Sequence, residues 1–523
     1  MPRTITKFLR ETAERLPDKV GIVSKEREIT FSNLYNEALA TAECLRELGI
    51  QPGDRVGICM EKTIDQVSVI LGILFANAVI VPILPRLKSA NIRHIIENSG
   101  MTALVTDSER LSEVAEFNGI TKLITGHGEV TEEWPNLAYM RRYIQPRMFF
   151  DRIGADNAAI IYSSGSTGRP KGILIAHRNL ADGADIIAEY LGTDESDRIA
   201  CVLSFNFDYG LNQIWQTIRK GCTLYLHDFA LPNDLFTMMA KNAITALPLM
   251  PVFISQIFDP RLKIGNIHFN FPALRYICST GGRLSDSMIE NLKKTFPDAK
   301  IYSMFGLTEA FRATYLEPSK LSTHPTSVGK AIPGVQVFVL DENGEECPPN
   351  VIGELVQRGA TVSKGYWLDP ENTAKVFRTL PRFPGETLVF SGDSAYKDED
   401  GHLYFVSRKD EMIKTRGFRV SPTEVESEVV KHPDISAAIV FAVQNIAIGE
   451  DIACAYTTNS GKPISEHTLM QYLKSNLPRH MVPAYFVHFD DFPVTGNEGK
   501  FDRKTVKQEA FDRLGIDPVT GVR

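Results

Sequence analysis

The chain has 523 residues, a length that predicts at least two domains. Hydrophobic residues make up 43% and charged residues 23%, which is typical of a globular protein. The net charge of −7 and the pI of about 6.0 argue against a nucleic-acid binder, because such proteins present a basic surface to the phosphates.

The first half of the chain alternates helices with short apolar strands. A helix near Asn33–Leu48 precedes a strand at Arg55–Met60. The stretch from Val67 to Pro85 has no charged residue and approaches the length of a membrane span, but Asn77 and two prolines interrupt it. A buried helix (65–75) followed by a buried strand (79–84) is favoured. Further strands are predicted at Ala103–Thr106, Ala158–Tyr162, Ile199–Leu203, Thr223–Leu226, Ala243–Leu247 and Tyr276–Ser279.

This alternation predicts an α/β fold with parallel sheets covered by helices and ligands near the carboxyl ends of the strands. After about residue 325 turn-rich β segments predict a β-rich subdomain, at 334–340, 353–358, 388–391 and 403–406. From about Glu411 a small α+β unit follows, with helices at 422–431 and 466–475. We expect a large N-terminal domain (1–409) and a small, mobile C-terminal domain (410–523).

Seven cysteines are scattered along the chain without a CxxC pair, which indicates reduced thiols and neither a zinc site nor disulfides. The first residues contain no apolar segment of the kind found in a secretory signal. A cytoplasmic location is the expectation.

A glycine-rich segment follows the strand predicted at 158–162. It reads Ser163-Ser164-Gly165-Ser166-Thr167-Gly168-Arg169-Pro170-Lys171-Gly172. Glycines let backbone N–H groups turn toward an anion, while the hydroxyls and Lys171 add donors and charge. The spacing is not that of a Walker A loop. From the residues alone, a phosphate-binding loop and a flexible surface loop both stay open.

The segment resembles the signature loop of the adenylate-forming enzymes, which include acyl-CoA synthetases, adenylation domains of peptide synthetases and luciferases. The resemblance runs from about Glu28 to Arg503, with the other motifs in family order. It implies ATP-dependent activation of a carboxylic acid as an acyl-adenylate, release of pyrophosphate, and transfer of the acyl group to a thiol. It also implies that the β- and γ-phosphates of ATP are held by Ser163, Ser164, Gly165, Ser166, Thr167, Gly168 and Lys171.

A second motif covers residues 302–309 and reads Tyr302-Ser303-Met304-Phe305-Gly306-Leu307-Thr308-Glu309. Its aromatic face could stack on a base, its hydroxyl could bind a substrate oxygen, and its carboxylate could bind Mg²⁺. Alternatively, Thr308 and Glu309 could cap a helix. The motif resembles the family's adenine-binding segment. This implies that Phe305 stacks on adenine beside Ser303, Met304 and Gly306, that Thr308 binds the substrate carboxylate and α-phosphate, and that Glu309 coordinates Mg²⁺. The turn Gly281-Gly282-Arg283 resembles the segment on the other side of adenine.

Two motifs follow in the β-rich region. Asp393 ends the apolar strand predicted at 387–390, and a Gly-Asp pair in a turn is commonplace. The resemblance implies that this carboxylate binds the ribose. Residues 404–418 resemble the family's hinge sequence, which implies nucleotide contacts for Phe405 and Arg408. It also implies a hinge at Asp410 and a thiol-transfer loop over 414–418 that contains Lys414 and Gly417.

The last motif is Gly496-Asn497-Glu498-Gly499-Lys500, a glycine-rich turn with one lysine. A lone lysine in such a turn is usually a solvated surface residue. The resemblance implies that Lys500 reaches the α-phosphate and the attacking carboxylate, although Glu498 is an extra residue relative to the family pattern.

The residues that would surround the acid leave its identity open. By position they are Asp208, Tyr209, Asn212, Ala246, Cys278, Thr280, Met304, Arg312 and Ala313. In amino-acid-activating members an aspartate at the place of Asp208 pairs with the substrate amine, but this residue could also cap a helix. Arg312 could pair with a second substrate carboxylate or form a structural ion pair.

The resemblance implies CoA or a separate phosphopantetheinyl carrier protein as the thiol acceptor, because no carrier domain follows Lys500 in this sequence. Neither nucleic acid nor a membrane is expected as a partner. Two other functions stay open, a luciferase-like oxidoreductase and an inactive nucleotide-binding scaffold. Joint retention of Lys171, Glu309, Asp393 and Lys500 argues against the scaffold.

Overall fold

The structure is a computed structural model, and it describes most of the chain. Its described residues are 3–517, except for 86, 88, 108–109, 111–113, 115–116, 118, 126–133, 146–151, 164–169, 259–269, 283, 409–410, 416–417, 446–448 and 496–499. The side chains of residues 122, 124, 414, 418, 419, 495 and 500 are also outside the description.

The first 331 residues form two mainly parallel sheets and their covering helices. The helices are α1 Ile5–Arg15, α2 Phe31–Glu47, α3 Ile64–Phe75, α4 Ser89–Ser99, α5 Leu137–Met140, α6 His177–Leu191, α7 Asp208–Lys220, α8 Pro232–Lys241, α9 Pro251–Ile257 and α10 Asp286–Thr295, with a 3-10 turn at Pro318–Lys320. The strands are β1 Val20–Val23, β2 Glu28–Thr30, β3 Arg55–Cys59, β4 Val79–Pro82, β5 Ala103–Asp107, β6 Thr121–Thr125, β7 Asn157–Ser163, β8 Lys171–Ala176, β9 Arg198–Cys201, β10 Thr223–Leu226, β11 Ala246–Leu249, β12 Tyr276–Ser279, β13 Lys300–Phe305, β14 Thr314–Leu316 and β15 Lys330–Ala331.

In the described residues one sheet has the strand order β6-β5-β3-β4-β7-β8, and the other has β15-β14-β13-β12-β11-β9-β10-β1-β2. Their central strands are parallel, whereas β2, β8, β14 and β15 pair antiparallel at the edges. The near-continuous apolar strands and the uncharged face of α3 pack into one buried core between the layers. This arrangement confirms the predicted α/β fold, and it gathers the ends of β7, β12 and β13, where the motifs lie.

A smaller β-rich region follows, as predicted. It contains β16 Val335–Leu340, β17 Gly353–Gly359, α11 Pro370–Val376, β18 Phe377–Leu380, β19 Phe383–Lys397 and β20 Leu403–Arg408. The strands pair antiparallel in the order β16-β17-β19-β18, with β20 on the other part of β19.

The remainder of the chain has cores of its own, which supports its prediction as a separate unit. Its elements are β21 Ile413–Thr415, β22 Phe418–Val420, α12 Pro422–Val429, β23 Ile435–Asn445, β24 Gly449–Thr458, α13 Glu466–Asn476, a 3-10 turn at Arg479–Met481, β25 Tyr485–His488, β26 Val494–Thr495, β27 Lys500–Phe501 and α14 Arg503–Leu514.

Several local predictions were wrong. Asp393 does not end a strand, because β19 continues to Lys397 past a register shift against β17, where Gly392 adopts a φ of 73°. A β-bulge of this kind changes the direction of a side chain while the strand continues. The predicted loop over 414–418 includes parts of two paired strands, β21 and β22. The strand predicted from Ala243 begins at Ala246, since Ala243 has a φ of 47° in the turn after α8.

Two more findings concern the composition-based expectations. No helix among the described residues is long and apolar enough to cross a membrane, so the uncharged stretch is the buried α3 followed by β4. All seven cysteines are free thiols, and six of them are buried.

Candidate active site

The glycine-rich segment joins two neighbouring antiparallel strands. Ser163 ends β7 and lies opposite Lys171, which begins β8. The intervening predicted phosphate ligands Ser164, Gly165, Ser166, Thr167 and Gly168 lie outside the described residues. The register of β7 and β8 nevertheless fixes both ends of this segment at the carboxyl edge of the six-stranded sheet.

Lys171 belongs to a short chain of polar contacts that ends at Glu309. The Lys171 ammonium lies 5.5 Å from the centre of the Tyr366 ring. The Tyr366 hydroxyl donates a hydrogen bond of 2.7 Å to Glu309 Oε1. Burial, followed by the neighbouring Glu309 charge, raises the pKa of Tyr366 well above its ordinary value, so the phenol stays protonated as a donor. The segment around residue 308 is a turn and not a helix start, so the helix-cap alternative was wrong.

Sequence reasoning missed Tyr366. It lies between β17 and α11, and its position depends on the backbone contacts of its neighbours: the amides of Lys364 and Trp367 donate to carbonyls of the β8 segment. A Gly-Tyr-Trp run in a turn-rich region carries no recognisable chemical pattern, and only the tertiary structure brings it beside Glu309.

The predicted adenine-binding residues lie at adjacent strand ends. Ser303, Met304 and Phe305 close β13, and Gly281 and Gly282 follow the neighbouring strand β12. A Cβ on Gly306 would come within 2.5 Å of the Phe311 carbonyl oxygen, so the turn can close tightly only with glycine there. The rings of Phe305 and Phe405 lie 6.1 Å apart at 33°. The predicted partner Arg283 is outside the described residues.

Asp393 and Arg408 face each other across β19 and β20 in register. The Arg408 guanidinium donates to Asp393 Oδ1 at 2.8 Å and to the Ser391 carbonyl at 2.9 Å. Asp393 is only 3% exposed, and this burial raises its pKa, because the Arg408 charge only partly offsets the cost of desolvating the carboxylate. The structure therefore joins these two predicted nucleotide ligands into one ion pair, in which Asp393 is buried and Arg408 is exposed.

Helix α7 forms one wall of the predicted acid site. It begins at Asp208, which is half-exposed in the first turn, while Phe207 occupies the N-cap position without a side-chain cap. The alternative in which Asp208 caps the helix is therefore wrong by one position. A Cβ on Gly210 would lie 1.7 Å from the Ser204 carbonyl oxygen, so only glycine lets the helix pack on the turn before it.

Behind this wall lies a narrow cavity near the helix and the three parallel strands β11, β12 and β13. Its lining includes Tyr209, Gln213, Gln216, Pro248, Cys278 and Met304. The Tyr209 hydroxyl donates to the Cys278 carbonyl at 2.8 Å, and burial raises the pKa of the Cys278 thiol to about 11. Tyr209, Cys278 and Met304 were predicted from the sequence, whereas Pro248 was missed.

The other predicted acid-site residues are more dispersed. Asn212 is buried on α7 and accepts from Gln216 at 2.5 Å. Ala246 lies two residues before Pro248, on the row of Tyr276, and Thr280 directly follows β12. Ala313 is fully buried in the core cluster beneath the β-rich region.

Arg312 is a buried cation beside this cavity. It is 2% exposed, and its guanidinium carbon lies 4.8 Å from the centre of the Tyr209 ring. Its Nε and Nη2 atoms are buried without a hydrogen-bond partner, and no carboxylate pairs with it within the described part of the chain. The structural ion pair left open by the sequence is therefore not observed there.

The turn that carries Arg312 is held firmly. Phe311, the preceding residue, has a φ of 60°, an uncommon conformation for an aromatic residue. The buried Gln357 amide donates to the carbonyls of Ala310 and Arg312, at 3.2 and 2.9 Å. The backbone thus directs Arg312 toward Tyr209, where no carboxylate of the described residues forms an ion pair with it.

The last predicted residues belong to the C-terminal unit. Lys500 begins β27 and pairs with Thr495 of β26, and Lys414 lies in β21, but neither side chain is described. Asp410 and Gly417 lie outside the described residues.

The fold and this set of side chains are those of a nucleotide-binding enzyme, with a glycine-rich segment between two strands, an Asp393–Arg408 ion pair and a small cavity beside α7. The chain belongs to the family described as AMP-binding enzyme, whose sequence model matches residues 9–367. The model of the AMP-binding enzyme C-terminal domain matches residues 424–499.

Individual relatives agree with this assignment. Tyrocidine synthase 3 of Brevibacillus parabrevis is 29% identical over 97% of this chain, which spans only 8% of that protein. The ATP-bound structure of MatB from Rhodopseudomonas palustris is 25% identical, with a TM-score of 0.87 over 98% of this chain and 100% of that one. The anthranilate CoA ligase AuaEII in complex with anthranoyl-AMP has a TM-score of 0.88 at 22% identity, covering 99% of both chains.

Proposed function

We propose that this enzyme uses ATP to convert a compact carboxylic acid with a second anionic group into its acyl-adenylate and then transfers the acyl group to a thiol. Family membership and the contacts among Lys171, Tyr366 and Glu309 support the first half of this proposal. The single observation that carries the choice of acid is the buried guanidinium of Arg312, whose Nε and Nη2 atoms have no hydrogen-bond partner among the described residues.

The nucleotide would bind across the carboxyl ends of β7, β12 and β13. We assign its phosphates to the segment from Ser163 to Lys171, its base to the neighbourhood of Phe305, and its ribose to Asp393. The ATP-bound relative supports the choice of nucleotide. A ribose diol would share Asp393 with Arg408, whose side chain is 49% exposed.

We assign Mg²⁺ to Glu309. Its Oε1 accepts from the Tyr366 hydroxyl, and its Oε2 would bind the ion, which takes few oxygens from protein and several from phosphate and water. When bound, the ion would neutralise charge on the phosphates. Among the residues of the chain, Tyr366 would fix the orientation of the Glu309 carboxylate, and Lys171 would add positive charge.

The buried charge of Arg312, which lies against the Tyr209 ring at one side of the cavity, favours an anionic substituent. A buried charge without a partner costs several kcal/mol, of which the contact with the Tyr209 ring returns about 0.5–2 kcal/mol. A substrate carboxylate, sulfonate or phosphonate would supply the missing charge and accept two hydrogen bonds from the guanidinium. The tight packing around Tyr209 and Arg312 favours a short chain between the two acidic groups. If that chain carries an amine, the carboxylate of Asp208 at the start of the same helix would pair with it.

In the first half-reaction a substrate carboxylate oxygen attacks the α-phosphorus and pyrophosphate leaves. Both reactants are anions, so the enzyme contributes mainly position and positive charge. We assign substrate contact to Thr308 and the oriented positive charge to Lys500. In the second half-reaction a thiolate attacks the acyl carbonyl and AMP leaves.

We further propose that the C-terminal unit rotates about Asp410 between the two steps. This motion would withdraw Lys500 and bring in the segment with Lys414 and Gly417. Hinges act through a few residues at element ends, and Asp410 stands between β20 and β21. CoA or a carrier protein in the cytoplasm would supply the thiol.

ATP–pyrophosphate exchange tests the proposal. The panel contains short dicarboxylic acids, some with an α-amine and some without. Each diacid is compared with a monocarboxylic acid of the same length. Exchange driven by a diacid supports the full proposal, whereas exchange driven equally by monoacids refutes the role of Arg312 but keeps adenylation. Failure of every acid, with ATP still bound, would refute the proposed activity.

The variant Lys500→Ala separates the two half-reactions. We expect it to lower exchange by about 10²–10³-fold, as for loss of one oriented transition-state donor, while it leaves thiol transfer from a preformed adenylate unchanged. Equal loss of both half-reactions would contradict the rotation.

A further inference from the structure

A cluster of two histidines and two aspartates lies at the turn between β19 and β20. The turn contributes Asp398, Asp400 and His402, and the loop after Pro318–Lys320 contributes His324. One donor atom from each of His324, Asp400 and His402 lies within 4.8 Å of the others. Asp398 Oδ2 lies 3.8 Å from His324 Nε2 and 3.6 Å from His402 Nδ1.

The side chains of the cluster are already oriented by their neighbours. Thr323 Oγ1 lies 2.7 Å from His324 Nδ1, which leaves Nε2 for another partner. His402 is 5% exposed, and its Nδ1 atom is buried without a hydrogen-bond partner within the described residues.

Asp398 is fixed as well. Its Oδ1, the outer oxygen, accepts from the His402 amide at 2.8 Å, and its Oδ2, the oxygen near the two imidazoles, accepts from the Tyr404 hydroxyl at 3.0 Å. Hydrogen bonds to the outer atoms of histidines and carboxylates are typical of metal ligands, because they fix the direction of the donor atoms.

We propose that this cluster is a structural binding site for a divalent transition-metal ion of the zinc class. A four-coordinate zinc ion with bonds of about 2.0–2.1 Å has neighbouring donors roughly 3.4 Å apart. The distances from Asp398 to the two histidines exceed this value by a few tenths of an ångström. The donors of His324, Asp400 and His402 lie within 4.8 Å of one another, so side-chain rotations would have to bring them closer when the ion binds. Two imidazoles select against Mg²⁺ and Ca²⁺, which prefer oxygen ligands.

The position of the cluster assigns the ion a structural role. Leu403, next to His402, exchanges backbone hydrogen bonds of 2.8 and 2.9 Å with Gly329 and Val328, so the His324 loop already lies along the start of β20. An ion at the turn would join these two segments. Asp393 lies in β19, five residues before Asp398 in the following turn, at most about 16 Å away at about 3.3 Å per residue, so the ion would lie apart from the nucleotide.

The test measures metal binding by the full-length enzyme. The protein is treated with a chelator and titrated with Zn²⁺ in competition with a chromogenic indicator. We compare it with His324→Gln and Asp400→Asn, which alter more accessible members of the cluster. The matched control is His467→Gln, an exposed histidine on α13.

We expect one equivalent of Zn²⁺ per chain, bound with a micromolar or lower Kd and accompanied by a rise of a few degrees in Tm. His324→Gln and Asp400→Asn should weaken binding at least tenfold, while His467→Gln should match the wild type. With Co²⁺ the wild type should show the intense visible bands of a four-coordinate ion. Pyrophosphate exchange should be the same in all these variants.

Equal Zn²⁺ binding by the wild type and His324→Gln would overturn the proposal, as would the absence of binding in the wild type. The cluster would then be an ordinary pair of histidines held by the Asp398 carboxylate. Six-coordinate Co²⁺ spectra would likewise show adventitious binding only.

Discussion

Replacement of Arg312 by methionine should have opposite effects on catalysis and on stability. Methionine fills a similar volume without the charge. Removing one member of a buried charge pair costs about 2–5 kcal/mol, or roughly 30- to 5,000-fold at 1.36 kcal/mol per tenfold. We therefore expect kcat/KM for the diacid to fall within that range, and kcat/KM for the matched monoacid to stay the same or rise.

The free enzyme should not be weakened by the same change. Arg312 has no carboxylate partner in the described structure, and exchanging buried charges for apolar groups is often neutral or stabilising by about 1–4 kcal/mol. Loss of the contact with Tyr209 subtracts about 0.5–2 kcal/mol. The net change in the free energy of unfolding is thus expected between roughly zero and a small gain.

Pyrophosphate exchange with paired acids and urea unfolding of the free enzyme measure these two effects. Arg312→Lys is the matched control, since it keeps the charge but lacks the planar pair of donors, and it should retain part of the preference for the diacid. A large loss of stability in Arg312→Met with an unchanged ranking of acids would refute the reasoning and make Arg312 a structural residue.

Three further predictions concern other buried groups. Tyr366→Phe removes the donor to Glu309 and should lower pyrophosphate exchange about tenfold or more while leaving Tm nearly unchanged. Asp393→Asn should weaken ATP binding in calorimetry. Because the folded-state pKa of Asp393 is raised, the contribution of this residue to the free energy of unfolding is greatest at low pH and declines as pH rises through that pKa. Asp393→Asn should lack this pH dependence. Burial lowers the pKa of His177 from 6.5 to about 4. The free energy of unfolding in urea should therefore fall by up to about 3 kcal/mol as the pH drops from 6.5 to about 4, and His177→Asn should reduce this fall.

A specific result would contradict each of these three predictions. Unchanged exchange in Tyr366→Phe would mean that Glu309 needs no orienting hydrogen bond. Full ATP affinity in Asp393→Asn would remove this residue from the nucleotide site. If the free energy of unfolding of His177→Asn falls equally steeply at low pH, groups other than His177 cause the fall.

The sequence predicted the alternation of helices and strands well, because buried parallel strands such as β12 and β10 are short apolar runs with clear limits. It also predicted the positions of the motifs at strand ends. Chemistry could be assigned to Lys171 or Glu309 because both stand in segments that resemble a known pattern. Parallel strands then bring such segments together in space.

Features that depend on contacts between distant segments could not be predicted. The donor role of Tyr366 depends on the packing of residues 364–367 against β8. The position of Asp393 depends on a bulge, and a Ser-Gly-Asp triplet looks the same in a turn as in a bulged strand. The sequence left the partner of Arg312 undecided, because only tertiary structure shows which charges surround a side chain.

The nine-stranded sheet has a consequence for how the chain acquires its fold. Strand β1, near residue 22, pairs with β10, near residue 224, so its parallel partner is made long after it. At about 5–20 residues per second, a ribosome needs roughly 10–40 s to reach that partner. During this interval β1 and β2 can form only a hairpin, which is marginal by itself. The apolar edge of β1 is then open to other chains, and chaperones that cover such edges should raise the yield of folded enzyme.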